Sequence, residues 1–209
     1  MVDNSGLRLI TLKCDKCGSL LNADPEDVVY YCNSCDTGYE IINETDEIVE
    51  VTVDFALPTN PIDAEVVYLP FWVFDAYIDI TSRDASGTLG SMSSFIKTKV
   101  GVGEQEKPVE KFYVPAFETS MENIKKLGLE FTRQQPDFDL LKKNRITGCI
   151  YSSQDAEKIA DFIFLSSEAE KPDMMKDISY TLNLTSPHVV AFPFYKADGL
   201  TDGILGIRI

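Results

Sequence analysis

The chain carries a single histidine, His188, among 209 residues. One imidazole excludes every mechanism that needs a histidine pair, whether as metal ligands or as acid and base partners. Basic residues are also scarce: 19 Lys and Arg stand against 34 Asp and Glu, for a net charge of −15. The shortage is sharpest before Pro58, where Arg8, Lys13 and Lys16 face twelve acidic residues. Binding to nucleic acid depends first on cations that neutralise phosphates, so the acidity argues against it; it reads as a solvated, soluble surface, or in functional terms as steering toward a partner with a basic surface. No stretch approaches the roughly eighteen uninterrupted apolar residues that cross a bilayer. The opening Met-Val-Asp-Asn-Ser-Gly has neither the basic nor the apolar region of a secretory leader. The expectation is a soluble, cytoplasmic chain without a membrane span.

Catalytic motifs are missing too. The Gly-rich stretches 83–94 and 101–108 lack the order of a phosphate-cradling loop, and there is no zincin helix or nucleophile elbow. Carboxylates are so common here that pairs of them carry little information. His188 lies beside Pro187 at a strand entrance, where a surface or capping role is expected. Cys149, in an apolar strand-like run from Arg145 to Tyr151, reads as a core thiol. The expectation is a protein that is not an enzyme.

What is present is a pattern of cysteines. Cys14-Asp-Lys-Cys17 and Cys32-Asn-Ser-Cys35 are two Cys-x-x-Cys pairs with fourteen residues between them. In a chain without a secretory leader such pairs are metal ligands more often than disulfides. Two sulfurs reach one ion when the backbone curls into a tight knuckle, and Gly18 permits the positive φ that such a curl needs. The second knuckle has no Gly after its last Cys, and Asp36-Thr37-Gly38 is expected to supply that turn. β-type runs flank the pairs at residues 7–13, at Val28 to Tyr31 and at Tyr39 to Ile42, with a short return strand at 19–22. A module this small lacks a hydrophobic core, so the metal would supply about ten kcal/mol of its folding free energy. Four thiolates do not distinguish zinc from iron by ligand type. One structural zinc is expected because nothing else suggests a redox partner site; iron is the alternative.

The rest of the chain mixes strands and helices. Val66-Val-Tyr-Leu-Pro-Phe-Trp and Val189-Val-Ala-Phe-Pro-Phe-Tyr match at both valines, the proline and the phenylalanine, and Phe112-Tyr-Val-Pro-Ala-Phe is a weaker third instance. Three apolar strands broken by a central Pro point to one sheet whose strands bend at comparable heights, with each Pro at an edge or a bulge. The aromatics of these strands are expected in the core rather than as a base-stacking platform. Thr119-x-x-Glu122 reads as a capping box opening a helix to about Arg133, and Ser152-x-x-Asp155 as one opening a helix through Ser166. A short helix is expected over 137–144, a charged loop over 168–173, and a terminal apolar strand from Gly203 to Ile209 that needs burial or a partner. The expected fold class is α+β: a small N-terminal β ribbon over 1–45, then a 46–209 domain with a mixed, mostly antiparallel sheet and two or three helices.

With Cys14, Cys17, Cys32 and Cys35 at its ligand positions, the N-terminal segment resembles the zinc-ribbon superfamily. The four-Cys arrangement and Tyr30, Tyr31 and Tyr39 around it also resemble rubredoxin-type iron sites. Beyond the ribbon, the phrases at 69–72, 113–117 and 193–195 resemble a group of prokaryotic zinc-ribbon proteins, some labelled by analogy with the replication-restart helicase. That label implies work on DNA, yet this chain has no helicase motif. The resemblance implies a bound metal and no established activity. The leading expectation is a zinc-holding interaction module or subunit of a larger assembly. Nucleic-acid binding and, behind it, an iron electron carrier are the alternatives.

Overall fold

A computed structural model describes residues 13–21, 24–42, 47–85, 110–141, 144–146, 148–171 and 175–209. Of the strand expected at 7–13 all but Lys13 lies outside these residues, as do the loop expected at 101–108 and parts of the segments expected at 19–22, 83–94, 137–144 and 168–173. The architecture is α+β. A three-stranded antiparallel sheet, in the order β1-β2-β3, contains β1 (Val29–Cys32), β2 (Thr37–Ile42) and β3 (Glu47–Val51). A larger mixed sheet follows, from β4 (Val53–Ala56), β5 (Glu65–Ala85), β6 (Glu110–Pro115), β7 (Leu140–Leu141), β8 (Met175–Lys196) and β9 (Leu200–Asp202). Its order is β6-β5-β8-β4-β7 with β9 also on β8, and only β4 runs parallel to its neighbour β8. Two helices, α1 (Met121–Gln134) and α2 (Ser153–Ala169), complete the described elements.

The three proline phrases become three adjacent strands, with Pro115 opposite Phe71, Pro70 opposite Ala191, and Pro193 opposite Tyr68. Each proline sits where the ladder asks for no donor. The N–H and C=O of a strand residue point to the same side. The Pro70 carbonyl accepts from Ala116 N–H at 2.9 Å, so the missing donor faces the place where β6 has just ended. The Pro193 carbonyl accepts from Gly203 N–H at 2.7 Å and faces the gap between β4 and β9. Pro187 does not divide β8 into two strands as its position suggests. Ser186 adopts φ 53° and the pairing slips between Val73 and Asp75, so a bulge absorbs the extra residue within one long strand.

Over residues 68–76 of β5 both faces of the sheet are covered, which explains why that stretch reads as a continuous apolar run, whereas from Tyr77 outward exposed and half-buried residues alternate. Trp72, Phe74, Phe112 and Val189 pack with Ala156, Ala160, Ile163 and Phe164 of α2. Phe71, Phe192 and Phe194 pack on the other face with Leu127 and Phe131 of α1. Helix α1 also closes the β6 edge. Thr132 Oγ1 accepts the Tyr113 N–H at 3.0 Å, Gln135 Oε1 accepts the Lys111 N–H at 3.0 Å, and Gln135 Nε2 donates to the Lys111 carbonyl at 2.6 Å. Side chains thus take the hydrogen bonds that a further strand would otherwise claim.

Several expectations change in detail. The N-cap of α1 is Ser120, which accepts from Asn123 N–H at 3.2 Å, one residue beyond the expected Thr119. The cap of α2 is Ser152 as expected, and its hydroxyl also donates to Asp155 at 2.8 Å. In place of a helix after Asp137, Leu140 and Leu141 pair with β4. Glu168 belongs to α2 rather than to a loop; its side chain is fully buried and ion-paired with Lys171 at 2.6 Å. The terminal run is no free strand. Ile207 and Ile209 bond back to β9, with Asp202 N–H on the Ile207 carbonyl at 3.0 Å and Ile209 N–H on the Leu200 carbonyl at 2.8 Å. The Asp202 carboxylate accepts the N–H groups of Ile204, Leu205 and Ile207, so one buried acid templates the whole turn. The apolar terminus is therefore satisfied within its own chain.

The small sheet runs on to Val51, past the boundary near 45, and only Thr52 separates it from β4. The two sheets also share a core. Val29 packs in the cluster that holds Trp72 and Phe164, and the Tyr31 ring meets Phe55 edge-on at 5.1 Å.

Candidate metal centre

The four cysteines converge at the end of the small sheet where the turn joins β1 to β2. All four sulfurs lie within 4.8 Å of one another. Cys14 Sγ is 3.4 Å from Cys35 Sγ, and Cys17 Sγ is 3.5 Å from Cys32 Sγ. A tetrahedral ion with metal–sulfur bonds of about 2.3 Å places its sulfurs about 3.8 Å apart. The two closest pairs are therefore within a few tenths of an ångström of what such an ion demands. Cys14 and Cys32 are buried, Cys35 is half-buried and Cys17 is exposed, so the site lies at the rim of the molecule.

Two equivalent knuckles build it. Gly18 N–H donates to the Cys14 carbonyl, and Asp36 N–H to the Cys32 carbonyl, both at 2.8 Å. Each donor is the residue directly after the second Cys of its pair, and both are left-handed, with φ 73° at Gly18 and 58° at Asp36. Asp36 thus does alone what the sequence reading assigned to the Asp-Thr-Gly turn. An aspartate tolerates this conformation better than most residues, and the Tyr31 hydroxyl holds its carboxylate at 3.2 Å. Gly38 serves a different need: a Cβ there would meet the Val51 carbonyl at 2.5 Å, so it permits the close approach of β2 and β3.

Around the sulfurs lies a layer of hydroxyls. The Tyr39 hydroxyl is 3.3 Å from Cys14 Sγ, and Thr37 Oγ1 is 3.4 Å from Cys35 Sγ. Ser19 bonds to Cys17 through its side chain and its backbone N–H. These contacts spread the thiol acidities. The Tyr39 hydrogen bond outweighs burial and brings Cys14 down to about 6. The Ser19 contacts lower Cys17. At Cys35 the Thr37 hydroxyl pulls downward, but burial and the neighbouring sulfurs prevail and push it up to about 11. Four crowded thiols resist losing all their protons together, and a divalent cation removes that resistance. Geometry and donor set both fit one tetrahedral metal ion.

The remaining candidates do not assemble into a site. Cys149 is buried in the apolar core, and burial raises its thiol well above the ordinary value. His188 stands opposite Val73, half-buried, with Nδ1 3.2 Å from the Ser186 carbonyl. Trp72 is fully buried and donates its indole N–H to the Tyr151 carbonyl at 2.8 Å, so it offers no stacking surface. Tyr68 and Phe71 are buried with it. Among the described residues the cysteine cluster is the one convergent group of metal-ligating side chains.

Sequence reasoning missed the hydroxyl layer and Glu40. Glu40 is buried and accepts the Ser153 N–H at 2.6 Å, which ties the small sheet to the first turn of α2. A signal for the hydroxyls was present. Both pairs are followed at the second position by a hydroxyl residue, Ser19 and Thr37, and Tyr39 follows at strand spacing. No family model, curated protein or solved structure matches the chain.

Proposed function

We propose that this chain is a zinc-holding, non-enzymatic interaction module, a subunit of a larger assembly whose partner presents a basic surface. One observation carries the reading: all four converging ligands are cysteine sulfurs. A site with four protein ligands leaves no coordination position for water or substrate, so its metal serves structure rather than catalysis. The burial of the aromatic strands supports protein recognition over base stacking, and the acidity of the first fifty-odd residues supports a basic partner. No helix among the described residues is long and apolar enough to cross a membrane.

Purification from the native cells, with cross-linking and mass spectrometry, tests the reading. A defined complex with a stoichiometric partner, dissociating as salt is raised, is the expected result. A monomer without a companion chain overturns it. Metal analysis of the same sample is expected to give one zinc and no visible colour; a red protein with thiolate-to-iron bands overturns the choice of zinc.

A further inference from the structure

We propose that Tyr39 is a positioning residue of the metal centre, whose phenol O–H donates to the Cys14 thiolate and sets how tightly the cage holds a tetrahedral divalent cation. The inference rests on the reading of the four cysteines as ligands, and it concerns the group that compensates their charge.

Four thiolates around a divalent ion leave about two negative charges. Elsewhere a lysine or arginine could offset them, but the described residues from 13 to 51 hold only Lys13 and Lys16, both exposed, beside eight acidic residues. Water can solvate Cys17, which is exposed, and in part Cys35. It does not reach Cys14, which is 1% exposed, so donors there must come from the protein. The backbone N–H groups of Lys16 and Cys17 supply two, and the Tyr39 hydroxyl supplies the third at 3.3 Å. Tyr39 is itself 5% exposed, so its proton has no competing solvent. Thr37 is a weaker candidate for the same role, because its hydroxyl lies equally close, at 3.4 Å, to the Cys35 carbonyl.

Tyr39→Phe keeps the ring and removes only the donor. The zinc affinity of the variant, measured against a chromophoric chelator, is expected to fall roughly 10- to 100-fold, as outer-layer partners of metal ligands do. Cobalt(II)-loaded protein is expected to show a shifted sulfur-to-cobalt charge-transfer band, which a purely packing role would leave in place. A third readout needs no variant. In the cadmium-loaded parent, the Tyr39 hydroxyl proton is expected to show scalar coupling to the cadmium nucleus through Cys14 Sγ. Equal affinity with a superimposable cobalt spectrum, or an uncoupled Tyr39 proton, overturns the inference while the metal site stands. A parent chain that binds neither zinc nor cobalt overturns the site and the inference together.

Discussion

Withdrawing the metal should unfold one knuckle and leave the rest of the chain in place. The first knuckle comprises the nine residues 13–21. Ordering a backbone costs about 1–2 kcal/mol per residue, or about 9–18 kcal/mol in all. Its described apolar burial is slight: Cys14 is fully buried and Leu21 only partly, which offers about 2–3 kcal/mol. A structural tetrathiolate zinc contributes about 10–16 kcal/mol, which closes the gap. Strand β1 is held differently. Val29 and Tyr31 are buried in clusters shared with the large sheet, for about 3–6 kcal/mol, and Val28 N–H donates to the Cys149 carbonyl at 2.8 Å. Amide hydrogen exchange before and after a strong chelator separates the two. The amides of Cys14 and Gly18, which bond only within the knuckle, should exchange at nearly unprotected rates. Those of Val28, Ile41 and Val189 should keep their protection. Persistent protection at Cys14 and Gly18 after complete metal removal refutes the reasoning, as does a loss that spreads to Val189.

Two further outcomes follow from packing and charge. In Gly128→Ala the new Cβ would lie 2.6 Å from the Ile163 tip and 3.0 Å from the Tyr113 carbonyl. The isoleucine can rotate, but the carbonyl belongs to a paired strand. The variant should therefore lose about 1–2 kcal/mol in urea unfolding despite alanine's better helix propensity, and an unchanged or higher midpoint refutes this. Asp75 is held below its ordinary value chiefly by its hydrogen bond to Lys111. A depressed carboxylate stabilises the fold above its unfolded pKa of about 3.9, and that share is lost as pH falls through the folded value. Both side chains are partly exposed, so the stability difference between parent and Asp75→Asn should be under about 1 kcal/mol near neutrality. That difference should shrink as pH falls below about 4, and a gap that widens on acidification contradicts the assignment.

The cysteine pairs, the Pro-broken strands and the cap of α2 were legible because each is a local signal. A Cys-x-x-Cys knuckle, a proline in an apolar run and a Ser-x-x-Asp box state their geometry within a few residues. The α+β class followed from the same signals. Misreadings arose where distant groups decide. The stretch after Asp137 has no strong local preference, and pairing with β4 makes Leu140 and Leu141 a strand. Pro187 looks like a break until β5, opposite, lets a bulge carry the strand through it. The terminal apolar run looks like a docking edge until Asp202 gathers three of its N–H groups.

By itself, then, the sequence determined the four candidate ligands, because the spacing of sulfurs along the backbone is a local property. It also determined the charge, which is a sum over residues. Tertiary structure alone decided what surrounds those ligands. Tyr39 lies 25 residues from Cys14 and Glu40 lies 113 residues from Ser153, so both contacts exist only once the chain has folded. Burial then decides their strength: the same hydroxyl or carboxylate in water would compete with solvent, whereas here it has a single partner to satisfy.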